Sequence, residues 1–201
     1  MSQPPNPPAI PSTPSSAPHH AEYSSEERAL LLSLAHRSIE AAFDLAELDL
    51  QPPSAHLSQE RGAFTTLYVR GLLRGCVGYV LPVASLYRTI AETARAAAFE
   101  DPRFPQLSKQ ELPDLKIGIS VLSPLASIKP EEVEVGRDGL VVSMGFRRGL
   151  LLPQVPVEHG WDRITFLQQT CRKAGLPPDA WTKGASLQAF TAEVFGEEEI
   201  V

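Results

Sequence analysis

Apolar positions along this chain change period several times. From Ser24, the run SSEERALLLSLAHRSIEAAFD places Leu30, Leu31, Leu34, Ile39 and Phe43 at helical intervals, with Glu26, Glu27, Arg28, Arg37 and Glu40 between them. Ser24 followed by Glu27 has the spacing of a capping box, so a helix is predicted to start there. QPPSAH ends it. GAFTTLYVRGLLRGCVGYV then reads as two β-rich runs around Arg70-Gly71, a hairpin closed by Pro82. ASLYRTIAETARAAAFE returns to a helical stripe of Leu86, Ile90, Ala94 and Ala97.

DPRFPQLS is a proline-bounded loop, and DLKIGISVLSPL alternates Leu115, Ile117, Ile119 and Val121 as a strand with one buried face. Turn signals at Asp138-Gly139 and Arg148-Gly149 predict short strands over Leu140 to Ser143 and Leu150 to Leu152. WDRITFLQQTCRKAGLPPDAW is an amphipathic helix with Trp161, Ile164, Leu167, Cys171 and Ala174 as its buried stripe and Gly175 as its stop. SLQAFTAEVF is a last strand, with Phe190, Ala192 and Val194 on one face. Hairpins separated by helices define an α+β class: an antiparallel or mixed sheet with flanking helices.

Composition changes this picture at the ends. Residues 1–22 are rich in Pro and Ser and hold almost no charge, so a disordered tail is expected there; His19 and His20 belong to it. The folded domain is expected over residues 23–196, with an acidic tail over 197–201. The 201 residues suffice for one domain or two small lobes sharing a core. A net charge of −6 argues against nucleic acid and anionic membrane surfaces as partners. No apolar run approaches the roughly 18 residues that a membrane span needs. Two cysteines, Cys76 and Cys171, do not make a disulfide framework, and a cytoplasmic setting is expected.

Candidate chemistry concentrates in GLLRGCVGYV. Strict alternation puts Leu72, Arg74, Cys76 and Gly78 on one face of the strand and Leu73, Gly75 and Val77 on the other. A guanidinium beside a thiol favours the thiolate, so Arg74 is expected to activate Cys76, with Gly78 clearing space beside the sulfur. A buried, merely packed cysteine on a bent strand is the competing reading. In DPRF, Asp101 is placed either to cap backbone N–H groups or to orient Arg103. Glu158 and His159 sit before a helix, where His159 is a candidate base for Cys76 or a helix cap. Cys171 reads as core. Walker, dinucleotide-binding, nucleophile-elbow and zinc spacings are absent, and no metal site is expected.

LRGCVGYV, AAAFEDPRFPQLSKQEL, KIGISVLSPL, GLLLPQV, VEHGWD and FLQQTCRKAGLPPDAW follow one another along the chain. In this series the chain resembles the AMMECR domain family, whose free-standing bacterial members are called AmmeMemoRadiSam system protein A. The resemblance runs from about Ser24 to Phe195. Leu73 to Gly78 match the family's six-residue signature, with Val77 where Ile is usual, and Asp138 stands where the family commonly carries His. The resemblance implies two unequal lobes in one compact unit, with the signature hairpin near the cleft between them. It also implies a cytoplasmic component of a system with a Memo-like protein and a radical S-adenosylmethionine protein. No cofactor is indicated. Two functions follow as expectations. One is binding of a small ligand or partner protein near the hairpin, through Arg74, Gly75, Gly78, Asp101, Arg103, Glu158 and His159. The other is a cysteine-dependent enzyme using Cys76 with Arg74 on a small anionic substrate.

Overall fold

A computed structural model describes residues 21–197, so the predicted tail over 1–20 and the end of the acidic tail, 198–201, lie outside the described residues. The described chain runs through helix α1 (Ser25–Asp44), strands β1 (Ala63–Val69) and β2 (Leu72–Tyr79), helix α2 (Leu86–Phe99) and strands β3 (Leu115–Leu122) and β4 (Ala126–Ser127). Strands β5 (Gly139–Met144) and β6 (Arg147–Leu151), helices α3 (Gln154–Glu158) and α4 (Arg163–Lys173), and strands β7 (Ser186–Phe190) and β8 (Ala192–Gly196) complete it. The class is α+β, with two four-stranded sheets ordered β2-β1-β3-β8 and β4-β7-β5-β6.

The chain divides into two units. The first comprises Ala21–Ala126 and 190–197. Its sheet is antiparallel at β1–β2, β1–β3 and β3–β8. Inward residues Ala63, Leu67, Ile117 and Ile119 are fully buried and join Leu31, Leu34 and Ile39 of α1 and Leu86, Ile90 and Ala94 of α2 in one core. The Ser24 hydroxyl accepts from the Glu27 N–H, and Glu27 reaches back to the Ser24 N–H, as the spacing predicts. Leu30 is more than a third exposed, and the buried stripe of α1 is closed by Ala35 and Ser38 instead. Glu197, at the head of the expected acidic tail, is held: it accepts from the Ile117 N–H at 2.8 Å and pairs with His36 at 2.9 Å.

The second unit, Ser127–Ala189, has a separate core of Leu140, Val142, Phe166, Leu167, Cys171, Leu187 and Ala189. Its hairpin turns at Gly145-Phe146 rather than at Arg148-Gly149. The reason lies outside the hairpin: a Cβ on Gly149 would stand 2.2 Å from the Ala174 backbone nitrogen, so β6 needs glycine there to pack against the end of α4. On α4, Phe166 is buried and Ile164 is exposed, one residue's rotation from the predicted stripe. The last predicted strand is two. The chain passes from one sheet to the other at Thr191, leaving Val194 64% exposed where a face shared with Phe190 was expected.

Candidate functional site

The signature segment forms the edge of the first sheet. Arg70 (φ 53°) and Gly71 (φ 75°) make the two-residue turn with both φ angles positive that suits the strand twist. Thr66 then opposes Cys76 and Leu67 opposes Gly75, but Tyr68 opposes Leu73. Arg74 has no opposite number: it is the extra residue of a β-bulge. The bulge corrects the predicted faces, because cross-strand partners share a face. Leu73 joins the Cys76 side, and Arg74 is aimed out of the ladder.

The expected Arg74–Cys76 partnership is replaced by another. Arg74 Nε donates to Glu111 Oε1 at 2.7 Å, and Nη2 donates to Glu111 Oε2 at 3.2 Å and to the Gln106 carbonyl at 3.0 Å. Nη1 donates to the Pro105 carbonyl. This fork pins the segment after α2 to the hairpin. It holds the Glu111 carboxyl at about 2, Arg74 contributing most and the Ser108 N–H and hydroxyl adding to it against partial burial.

The guanidinium beside the thiol is that of Arg103. Asp101, with a side chain 3% exposed, accepts from the Cys76 backbone N–H at 2.8 Å. Arg103 donates to both Asp101 oxygens, at 3.0 and 2.7 Å, and its Nη2 donates to the Cys76 carbonyl at 3.1 Å. Both roles foreseen for Asp101, backbone cap and orienter of Arg103, are therefore filled at once. Asp101 is held at about 2, chiefly by Arg103's hydrogen bonding, helped by the N–H groups of Cys76 and Arg103 against partial burial. Arg103 is correspondingly raised, by Asp101 above all and against partial burial, with the Cys76 side chain adding.

Around the sulfur, the Thr66 hydroxyl donates to Cys76 Sγ at 3.3 Å. Thr66 and Tyr68 lie two apart on β1, on the face opposite fully buried Thr65 and Leu67. Tyr68 is only 9% exposed, yet its hydroxyl has no hydrogen-bond partner among the described residues. Its pKa is raised by burial first and by Cys76 second. Gly78 does not clear space for a ligand. A Cβ there would stand 2.3 Å from the Phe64 ring, which fills the room glycine leaves. Gly75 serves the other face, where a Cβ would stand 2.1 Å from the Ala97 carbonyl of α2.

Glu158 and His159 belong to the second unit. Glu158 ends α3, and His159 caps that helix and stacks on Trp161 at 4.7 Å; both are exposed. The cap of α4 is Asp162, not His159. Asp138 is buried and accepts from the Glu134 N–H and from Arg137, a turn-holding role. Sequence reasoning missed Thr66, Tyr68 and Glu111. None was within reach of the pattern: the Arg70-Gly71 turn alone would set Thr65 opposite Cys76, and only the bulge at Arg74 brings Thr66 there. No group of three or more metal-ligating side chains occurs among the described residues, and no described helix is long and apolar enough to cross a membrane.

The fold and site define an α+β protein of two sheet-bearing units, one carrying a half-buried thiol on an edge hairpin. The AMMECR1 family model matches residues 32–195, and the chain belongs to that family. It is 42% identical to Protein MK0488 of Methanopyrus kandleri over 87% of this chain and 90% of that one. A protein of Thermococcus gammatolerans is 44% identical, over 84% of this chain and 89% of its own. The crystal structure of the uncharacterized protein PH0010 from Pyrococcus horikoshii superposes with a TM-score of 0.69 at 40% identity, covering 84% of this chain and 90% of that one.

Proposed function

We propose that the Cys76 face of the β1–β2 hairpin binds a small, acceptor-rich ligand, an anion above all. The observation that carries this reading is the unpaired Tyr68 hydroxyl, buried on the face that bears Thr66 and Cys76. A buried hydroxyl without a partner costs about 1–3 kcal/mol, and a ligand oxygen would relieve it. The groups on or beside this face are donors: Tyr68, Thr66, which donates to Cys76 Sγ, and the guanidinium of Arg103, bonded to the Cys76 carbonyl on a side chain 55% exposed. The carboxylate nearby is already occupied, since Asp101 accepts from Cys76 and Arg103. A donor set of this kind suits a carboxylate or oxyanion. The cysteine-dependent alternative keeps Cys76 and moves the anion-holding role from Arg74 to Arg103.

Thermal unfolding of the reduced protein with acetate, pyruvate, phosphate or sulfate, at matched ionic strength, tests the reading. At least one anion raises the Tm of the wild type and has a smaller effect on Tyr68→Phe and Arg103→Gln. Equal shifts in all three proteins, or no shift, overturn it.

A second reading, docking of a partner protein, draws on Tyr79, Leu81 and Val83, exposed by 38%, 40% and 64% where β2 ends. The partners expected from the family are the Memo-like and radical S-adenosylmethionine proteins. Co-purification with either, lost in Leu81→Asp/Val83→Asp, supports it; no co-purification counts against it.

A further inference from the structure

We propose that Cys76 is a modification site for hydroperoxides, oxidised to a sulfenic acid in a cradle formed by Thr66, Tyr68 and Arg103. This goes beyond ligand binding and requires no organic ligand to be seated.

Three observations converge. The thiol is half-buried, so a small oxidant reaches it while bulk solvent is restricted. Its sulfur already accepts a hydrogen bond from the Thr66 hydroxyl at 3.3 Å, and the Arg103 guanidinium is anchored to the Cys76 carbonyl at 3.1 Å. One donor thus touches the sulfur itself and the other is fixed to the carbonyl of the same residue. The Tyr68 hydroxyl, nine-tenths buried on the same face, bonds to nothing among the described residues, the sulfur included. An oxygen added to Sγ would supply the partner this phenol lacks. Burial of Tyr68 and the neighbouring Cys76 both push its pKa up, so the phenol stays a donor at neutral pH.

The step balances without further reagents. The thiolate sulfur attacks the terminal oxygen of R–O–O–H, an S–O bond forms, and the O–O bond breaks. The leaving R–O⁻ takes up the proton given up by the thiol, so that R–S–H and R–O–O–H become R–S–O–H and R–O–H. Sulfur is oxidised by two electrons and the peroxide is reduced by two. Thr66 and Arg103 donate to the oxygens as charge develops on the leaving group, and Tyr68 holds the sulfenic oxygen. An added low-molecular-weight thiol, R′–S–H, then condenses with the sulfenic acid to a mixed disulfide and water.

The test treats the reduced full-length chain with hydrogen peroxide, traps sulfenic acid with dimedone, and locates the adduct by peptide mass spectrometry. Cys76 is expected to gain one oxygen at least about tenfold faster than free cysteine at the same pH, while Cys171 is unmodified. Thr66→Val is expected to slow the reaction roughly tenfold, the worth of one hydrogen bond, and Thr66→Ser to restore it. Tyr68→Phe, which removes no existing hydrogen bond, is expected to fold normally and to pass from sulfenic to sulfinic acid several-fold faster. The proposal is overturned if Cys76 reacts no faster than free cysteine, or if Thr66→Val and Tyr68→Phe match the wild type in both rate and sulfenic lifetime. Anion binding is measured on the reduced protein, so the two readings fail separately.

Discussion

Cys76 lies on an edge strand, half-buried, with a hydroxyl on its sulfur and a carboxylate–guanidinium pair on its backbone. Cys171 lies within α4, fully buried among Phe166, Leu167 and Leu187, and burial pushes its thiol up. Hydropathy gives the two residues the same value, yet one is packed by apolar neighbours and the other is held by polar groups from β1 and from the segment after α2. The proposed reactivity of Cys76 rests on context of this kind, not on residue type. Both units have an apolar core and a buried carboxylate: the first places Asp101 in a charged frame along its hairpin edge, and the second uses Asp138 to hold a turn.

The comparison breaks most sharply at Asp101. Asp101→Ala removes the acceptor for the Cys76 N–H and for Arg103, and is expected to cost roughly 3 kcal/mol in urea unfolding. Acid acts on the same group more gently. The folded-state pKa of Asp101 is depressed to about 2, so its contribution, roughly 2 kcal/mol, is fully present above the unfolded value near 4 and is lost as the pH falls through 2. Glu111, also held at about 2, loses its contribution over the same window. An unfolding series from pH 5 to pH 2 should therefore decline less steeply in Asp101→Asn than in the wild type.

Cysteine replacement sharpens the contrast. Cys171→Ser puts a hydroxyl into an apolar core and is expected to cost roughly 2 kcal/mol, whereas Cys76→Ser, already among polar groups, should cost less than about 1 kcal/mol. The smallest effect separates the two arginines. Arg74→Lys loses the fork to Glu111 and is expected to cost roughly 1 kcal/mol while leaving the iodoacetamide rate of Cys76 unchanged. Arg103→Gln is expected to alter that rate. A change with Arg74→Lys equal to that with Arg103→Gln would count against a distinct role for Arg103 at the sulfur.

What the sequence disclosed was local. The Ser24–Glu27 box, the Arg70-Gly71 turn and the one-faced alternation of β3 need only neighbouring residues, and each is found. The bulge at Arg74 leaves no mark in the pattern, because one unpaired residue is invisible until the opposite strand is in register. The misplaced β5–β6 turn has the same origin: two glycine-bearing dipeptides competed, and contact with Ala174 decided between them. In the site, Cys76, Asp101 and Arg103 were legible as candidates. Which guanidinium meets the sulfur depended on the chain returning after α2, and Tyr68 looked like an ordinary strand aromatic.

The Asp101–Arg103 pair has one more consequence. A neighbouring strand would offer β2 an acceptor for the Cys76 N–H and a donor for its carbonyl, and the carboxylate and guanidinium provide both. In hydrogen-bonding terms the sheet thus ends in a fifth strand one residue long, built from side chains. Such a strand cannot be extended by another chain, so the edge is closed to β-pairing at the one rung where the thiol sits.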